Sequence, residues 1–367
     1  MKTFIQFITE DDMARSAEAS RKASMRVGEH EQVTGLESSA KTALAANKGK
    51  PIVVHVPVHG SKKIVKIQTH GIKHHNESSN KADISFIGQD ERNNLHLSLK
   101  TGESMSQINH FGGVSSINNN EKHPGHGTIK EFKTRLQDNF TKYGPIGGAK
   151  AEHGGDGGRV HPKGHRYEGK RITRVAYMLD TSVKKDGTPN NFAHHQMVQE
   201  ALYGKNAGKI KNNTIDNVHG ILQGYAKGKG KNGIGEIDLK PMRHSKTKRI
   251  LKGQYKLTGS RFIPNGEIPT GGGHQHFAIF AKHEGPRSAD RDQMHGNPRR
   301  ADLGVGVGLN GYDPYKGEMR KGPQFKRHSR GSGGSKVTIH HVDSVNHENV
   351  HWLNPENVPH HLGGHKK

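Results

Sequence analysis

The chain has 367 residues, of which 29% are hydrophobic and 48 are glycine, so we expect one modest hydrophobic core with long loops. It contains 57 Lys+Arg against 34 Asp+Glu, a formal net charge of +23, and such a field attracts polyanions, nucleic acid first. A basic surface that serves solubility or an acidic protein partner is the alternative. The absence of cysteine excludes disulfides and thiolate metal sites, and no apolar run is long enough to cross a bilayer.

The first ten residues, Met-Lys-Thr-Phe-Ile-Gln-Phe-Ile-Thr-Glu, are too short and too polar for a secretory signal. They resemble the capsid-targeting leader of internal head proteins in T-even-like tailed phages. The resemblance implies that a phage prohead protease cuts after Glu10, with the protease and the capsid as partners. It implies a location in the virion interior, or in the host cytoplasm before assembly. The alternative is a short amphipathic first helix.

Residues 11–47 are predicted to be helical or loosely ordered, because their apolar positions are few and form only a weak stripe. From residue 51 the pattern changes to strand. The β-branched runs at 52–58 and 64–67 are separated by 59–63, which predicts a hairpin. Lys62 and Lys63 lie in its turn, where we expect them to contact nucleic acid.

A second hairpin is predicted around residues 84–100. Apolar residues alternate with polar ones on both sides of residues 88–94, which have the composition of a turn. Period two places His96, Ser98 and Lys100 on one face, with three leucines packed beneath it. Together with the first hairpin, these strands are expected to make a sheet of about four strands.

The spacing of Asp83, Ser98 and Lys100 is typical of a metal-dependent nuclease hairpin, in which an aspartate is followed by acid-x-lysine. Asp83 would ligate Mg²⁺ or Mn²⁺, and Lys100 would orient a water or stabilise negative charge in the transition state. Ser98 replaces the usual acid and brings no charge, so a second carboxylate is needed. The candidates for it are Glu91, in the turn, and Glu103. An ordinary amphipathic hairpin is the alternative.

The wider pattern resembles a group of phage proteins that we place in the PD-(D/E)XK, restriction-endonuclease-like superfamily. The resemblance rests on Lys81-Ala82-Asp83, Ser98-Leu99-Lys100, Gln107 and Gly112-Gly113. It implies an α/β (α+β) fold, with a small mixed sheet of about four or more strands flanked by helices, and Mg²⁺-dependent DNA endonuclease activity. The residues that the resemblance and the spacing assign to catalysis are Asp83, Ser98, Lys100, Gln107 and Glu91.

The chain departs from this superfamily at two positions, since no proline precedes Asp83 and Ser98 stands where Asp or Glu is usual. Both departures weaken the inference of catalysis more than the inference of fold. The second functional hypothesis is therefore a non-catalytic, basic internal head protein that binds and neutralises packaged DNA.

Past Lys100, short helices are predicted at 103–111 and 191–202. A second acid-x-lysine triplet lies in Glu236-Ile237-Asp238-Leu239-Lys240 and is interpreted as an exposed strand with charges on its outer face; a duplicated active strand is the alternative. Around it lies the densest basic region, whose side chains are suited to phosphate contacts without base reading. Its members are Lys227, Lys229, Lys231, Arg243, Lys246, Lys248 and Arg249. Lysines on a solvated loop are the alternative.

The predicted organisation has five segments. They are a leader at 1–10, a helical or flexible segment at 11–47, a nuclease-like domain with basic insertions at 48–283, a Gly/Pro/Arg-rich linker at 284–335 and a His-rich tail at 336–367. One strand is predicted at 337–339, and Trp352 is expected to anchor the tail.

Overall fold

A computed structural model describes residues 30–75, 81–101, 110–113, 117, 120–143, 160–164, 168–169, 172, 174–205, 207–208, 214–224, 235–268, 277–282, 312–313, 318–319, 338–341 and 350–354. The helices are α1 (residues 30–46), α2 (His126–Tyr143) and α3 (Phe192–Tyr203). The strands are β1 (Ile52–Pro57), β2 (Ile64–Thr69), β3 (Gly71–His74), β4 (Ile84–Ile87), β5 (Leu95–Thr101), β6 (His110–Gly113), β7 (Arg174–Leu179), β8 (Gly220–Gly224), β9 (Asp238–Arg243), β10 (Ile250–Thr258), β11 (Ser260–Pro264), β12 (Phe277–Lys282), β13 (Tyr312–Asp313), β14 (Glu318–Met319), β15 (Thr338–His341) and β16 (Val350–Trp352). These elements confirm the predicted α+β class.

The chain divides into two compact units. Unit 1 comprises Met1–Ile108 and Leu202–Gly271, and unit 2 comprises Asn109–Ala201 and Gly272–Lys367. Unit 1 is therefore discontinuous in sequence, because residues 109–201 belong to unit 2. The single domain predicted for residues 48–283 contains parts of both units.

Sheet A of unit 1 has the strand order β2-β1-β10-β9. β1 pairs antiparallel with β2 through the predicted hairpin and parallel with β10, which in turn pairs antiparallel with β9. Along β1, buried and half-buried residues alternate, as expected for a strand with one face on a core. The predicted hairpin at 52–67 and the exposed strand at Asp238–Lys240 are thus both confirmed.

Sheet B of unit 1 has the order β11-β8-β5-β4-β3. β3, β4 and β5 form an antiparallel meander, β8 lies parallel to β5, and β11 lies antiparallel to β8. The prediction that the strands of both early hairpins share one sheet is wrong. β1 and β2 pair with β10 and β9 instead, so the four strands are divided between sheets A and B.

Two short corners carry the chain from sheet A to sheet B. A single residue, His70, separates β2 from β3, and Gly259 separates β10 from β11. Gly259 has a φ of +70°, which favours glycine, and an added Cβ there would overlap the backbone oxygen of Glu236. Sheets joined through bent strands of this kind enclose a core between their inner faces.

The core of unit 1 is contributed by α1 and by both sheets. From α1 it takes Val33, Leu36, Ala40 and Ala43, which recur at helical spacing and confirm the weak stripe predicted for this segment. From the strands it takes mainly Ile52, Val54, Val56, Ile67, Ile84, Phe86, Leu97, Leu99, Leu222, Leu239, Leu257 and Phe262. One face of each sheet therefore points into a common interior, and the other faces point away from it.

Unit 2 contains sheet C, with the order β16-β7-β12-β15-β6. A small buried cluster joins Ala176 and Met178 of β7 to Ala278 of β12 and to Val350 and Trp352 of β16. The only tryptophan is thus buried, as expected, and the predicted strand at 337–339 corresponds to β15.

The predicted helix at 191–202 is confirmed as α3, whereas that at 103–111 is not. Residues 110 and 111 are in strand β6, which pairs with β15, and residues 103–109 lie outside the described residues. A strand that pairs with residues more than 200 positions away cannot be recognised from local periodicity. Of the predicted linker at 284–335, the structure describes only the short ribbon of β13 and β14.

Candidate functional site

The hairpin that carries the predicted catalytic residues is formed by β4 and β5. β4 and β5 pair antiparallel, with Ile84 opposite Leu97 and Phe86 opposite Leu95. The turn contains a short 3₁₀ helix, Glu91–Asn93, which Asp90 caps by accepting a hydrogen bond from the Asn93 backbone N–H. The leucines of β5 pack in the core, so His96, Ser98 and Lys100 lie on the opposite face.

Asp83 immediately precedes β4 and is bound to the end of β5. Its Oδ2 accepts a hydrogen bond from the Leu99 backbone N–H at 2.6 Å and another from Ser98 Oγ at 3.1 Å. Lys100 Nζ lies 3.8 Å from the same oxygen and donates to the Leu99 carbonyl at 2.9 Å. The three residues at the predicted spacing therefore do meet in space, around one carboxylate oxygen.

Within this group, the three side chains differ in their access to solvent. The Asp83 side chain is 38% exposed and that of Lys100 is 27% exposed, so an anion in solution can reach both. Ser98 is buried, and its hydroxyl donates to Asp83. Ser98 thus holds the carboxylate in place in this structure; it was predicted among the catalytic residues.

The described residues do not complete a magnesium site here. Mg²⁺ in proteins is held by carboxylate oxygens with waters and phosphates, and no three His, Asp or Glu side chains come together as ligands within the described ranges. Glu91 lies in the turn at the other end of the hairpin, beyond the whole of strand β4, whose four residues alone span about 13 Å. The structure therefore does not bring Glu91 beside Asp83. Glu103 and Gln107 lie outside the described residues.

A histidine cluster, which was not predicted, lies on the same face of sheet B as Lys100 and contains the buried His96 and the half-buried His75 and His219. Ser85 Oγ is 2.6 Å from His75 Nε2 and 2.5 Å from His96 Nδ1. The His96 backbone N–H donates to His219 Nδ1, and burial lowers the pKa of His219. A neutral His219 therefore carries its proton on Nε2. Alternation placed His96 on this face, whereas His219, which immediately precedes β8, lies more than 100 residues further along the chain.

The outer face of sheet A carries a row of basic side chains across all four strands. His55 of β1 pairs with Lys66 of β2 and with Lys256 of β10, and Lys256 pairs with Lys240 of β9. Directly paired residues share a face, and the neighbouring Val54 is buried on the inner side. The three lysines are exposed. We call the outer side of sheet A, defined by this row, the basic face.

The two turns of sheet A extend the basic face lengthwise. β1 and β10 are parallel, so the β1–β2 turn and the β9–β10 turn lie at opposite ends of the sheet. The predicted nucleic-acid-binding residues Lys62 and Lys63 are exposed in the first turn. The exposed residues at the other end are Arg243, Lys246, Lys248 and Arg249.

Negative charge is nearly absent from the basic face. Residues 51–69 and 238–258 contain ten Lys and Arg but one acid, Asp238. Its carboxylate accepts a hydrogen bond from Ser39 Oγ at 2.6 Å. Sequence reasoning found the turn lysines but missed Lys66 and Lys256. The signal for Lys66 and Lys256 was their alternation with apolar residues in strands that contain no acid. Which strands pair with one another could not be predicted from this pattern.

Four further predicted residues join Glu103 and Gln107 outside the described part of the chain. Lys227, Lys229 and Lys231, together with Glu10 of the leader, lie outside the described residues.

Comparisons with known proteins add no relative. No protein-family model matches the chain, and neither a curated protein nor a solved structure matches it. Among the described residues, no helix has the length and apolar character needed to span a membrane.

Proposed function

We propose that this chain binds nucleic acid through the basic face of sheet A. The observation that carries the proposal is the cross-strand row of Lys66, His55, Lys256 and Lys240, with basic turns at both ends of the sheet. The backbones of lysines that lie on paired strands are held at fixed spacings, so their side chains contact phosphates with little further ordering of the chain. The resemblance of residues 1–10 to a capsid-targeting leader makes packaged phage DNA the first candidate ligand.

The binding energy would come mainly from release of counterions from the phosphate backbone. Each phosphate contact contributes about 0.9 to the slope of log affinity against log salt concentration for duplex DNA. Four or more contacts on the basic face would thus give a slope steeper than about −3. Rigid strands provide positioning contacts, which carry no sequence information by themselves.

This function predicts DNA binding that weakens steeply with salt. We expect fluorescence anisotropy with labelled DNA to give an affinity that falls on increasing KCl, with the slope stated above. Polyglutamate of similar charge serves as the competitor that represents an acidic protein partner. The proposal is contradicted if DNA does not bind at low salt, if binding is independent of salt, or if polyglutamate competes as well as DNA.

A second candidate function is phosphodiester hydrolysis at the Asp83–Lys100 pair. The observation that favours it is the meeting of a partly exposed carboxylate and ammonium group 3.8 Å apart, at the spacing of a nuclease hairpin. The described residues supply only this one carboxylate. The activity therefore requires another ligand, for which Glu103 is the remaining predicted candidate, and the resemblance implies Mg²⁺ or Mn²⁺ as the cofactor.

A plasmid-nicking assay with either metal tests this candidate. If it is right, Asp83→Asn and Lys100→Ala each reduce the rate at least about a hundredfold, because each removes a charge at the reacting phosphate. Asp83→Asn is preferred to alanine since the amide oxygen preserves an acceptor for the Leu99 N–H. The absence of nicking with both metals, or unchanged rates in both variants, would exclude hydrolysis at this pair.

A further inference from the structure

Aromatic side chains are missing from the basic face as far as its four strands extend. Tyr255 is the only aromatic residue in them apart from His55, and it is buried on the inner side, where its hydroxyl donates to the Ala43 carbonyl. Proteins that bind single strands without sequence preference stack successive bases on exposed aromatic rings, at about 1–3 kcal/mol per base. The basic face offers charge without a stacking surface, which suits a ligand whose bases are already stacked.

The width of the basic face also indicates the form of its ligand. Lys66 and Lys240 lie on the two edge strands, three strand spacings or about 14 Å apart. The major groove of B-form DNA is about 12 Å wide, and it admits a helix or a two-stranded ribbon. A four-stranded sheet is too wide to enter. Its two edges are nevertheless far enough apart to reach the phosphates on both sides of the groove.

The basic face and the Asp83 group belong to different faces of unit 1. The inner face of sheet A and the leucine face of sheet B both line the common core, so Lys256 and Asp83 point away from it from different sheets. Nucleic acid bound on the basic face therefore does not lie against Asp83. Binding at the basic face and any hydrolysis at Asp83 can be tested independently.

We infer that the basic face of sheet A spans a groove of double-stranded nucleic acid and contacts phosphates of both strands without reading bases. This inference rests on the proposed function and adds the form of the ligand. Lys66 and Lys240 contact the two backbones, and Lys256 lies between them beside His55, whose Nε2 is 2.7 Å from Gln254 Oε1. Because the sheet is too wide to enter the groove, the lysines of this row reach phosphates rather than base edges, and the Gln254 amide oxygen beside the row lies within hydrogen-bonding distance of His55.

An anionic membrane is a different occupant that the same charge would attract. Peripheral membrane binding combines cationic side chains with a row of large apolar ones that enter the lipid. On sheet A, the exposed large apolar residues are Ile64 and Ile250, which lie at opposite ends rather than in one row. The observations therefore favour a duplex, and vesicles become an arm of the test.

The test uses the full chain and a triple variant, Lys66→Gln, Lys240→Gln and Lys256→Gln. A matched control, Lys130→Gln, Lys184→Gln and Lys185→Gln, removes the same charge from exposed positions in unit 2. Anisotropy compares a duplex of two helical turns with its single strands, for two unrelated base sequences. Thermal unfolding checks that both variants retain the stability of the wild type.

We expect the wild type to bind duplex more tightly than single strand, and both base sequences equally. The triple variant should lose at least about tenfold in duplex affinity, with a salt slope shallower by about 2 to 3, because three phosphate contacts are removed. The control variant should bind like the wild type in both respects.

The outcomes separate this inference from the proposed function. The duplex inference is overturned if the wild type binds single strands more tightly than duplex. If the triple variant alone then binds them more weakly, nucleic-acid binding by the basic face still holds. Equal affinity in the triple and control variants overturns the assignment of the basic face. Binding to vesicles of anionic lipid but to neither form of DNA overturns both.

Discussion

Replacing Gly259 with alanine is expected to destabilise unit 1 by about 2–5 kcal/mol. The left-handed conformation costs a residue with a Cβ about 1–2 kcal/mol, and forcing extra atoms into a packed site costs a further 1–3 kcal/mol. Both terms apply at Gly259, where φ is +70° and an added Cβ overlaps the backbone oxygen of Glu236. That oxygen is a backbone atom, so it cannot move away by a simple side-chain rotation.

Gly60→Ala is the matched control for this substitution. Gly60 has a φ of +69°, nearly identical to that of Gly259, but no atom lies within 4 Å of the position that its Cβ would occupy. It should therefore lose only the conformational term, about 1–2 kcal/mol. Urea unfolding of both variants measures the difference. Equal losses of stability would mean that the corner at Gly259 does not have the close packing described above.

The position of Gly259 gives this substitution a functional consequence. The corner joins β10, which carries Lys256, to β11 in sheet B. Relaxation of the clash would have to displace either the end of β10 or the segment around Glu236, which leads into β9. The basic face depends on the registers of both strands. We therefore expect the free energy of unfolding and the DNA affinity to fall together in Gly259→Ala, whereas Gly60→Ala should leave affinity nearly unchanged.

Sequence reasoning succeeded where partners in the fold are neighbours in the chain. The β4–β5 hairpin, with its turn and its polar and apolar faces, follows from period two over about twenty residues, and the meeting of Asp83 with Lys100 follows from the hairpin. The same holds for the β1–β2 hairpin and for α3. In each case, local alternation or helical spacing determines which side chains share a face.

It failed where the partner lies far along the chain. β1 pairs with β10 across about 200 residues, and nothing in the local pattern of either strand specifies that choice. One sheet was therefore expected where two exist, and the row that joins Lys66 to Lys240 was not foreseen. His219 was missed for the same reason. The charge composition predicted a basic surface that would attract polyanions, whereas the gathering of exposed lysines on sheet A depends on the long-range pairing of its strands.

Asp83→Ala is expected to destabilise unit 1 by about 1–3 kcal/mol, whether or not the protein is an enzyme. The Leu99 backbone N–H is buried and donates to Asp83 Oδ2 at 2.6 Å, and an unsatisfied buried donor costs that amount. Asp83→Asn keeps an acceptor oxygen and should cost less than about 1 kcal/mol. Lys100→Ala should also cost less than about 1 kcal/mol, because the pair is partly exposed and screened by solvent.

Urea unfolding at neutral pH measures this order, and equal losses in the alanine and asparagine variants would contradict it. The order matters for interpreting the hairpin as a catalytic site. A loss of nicking in Asp83→Ala alone has two explanations, since the variant removes both a negative charge and an anchor of β5. Asp83→Asn separates them, because it removes the charge and preserves the anchor. Activity that survives in the asparagine variant would identify Asp83 as a structural residue whose carboxylate stabilises the end of the hairpin.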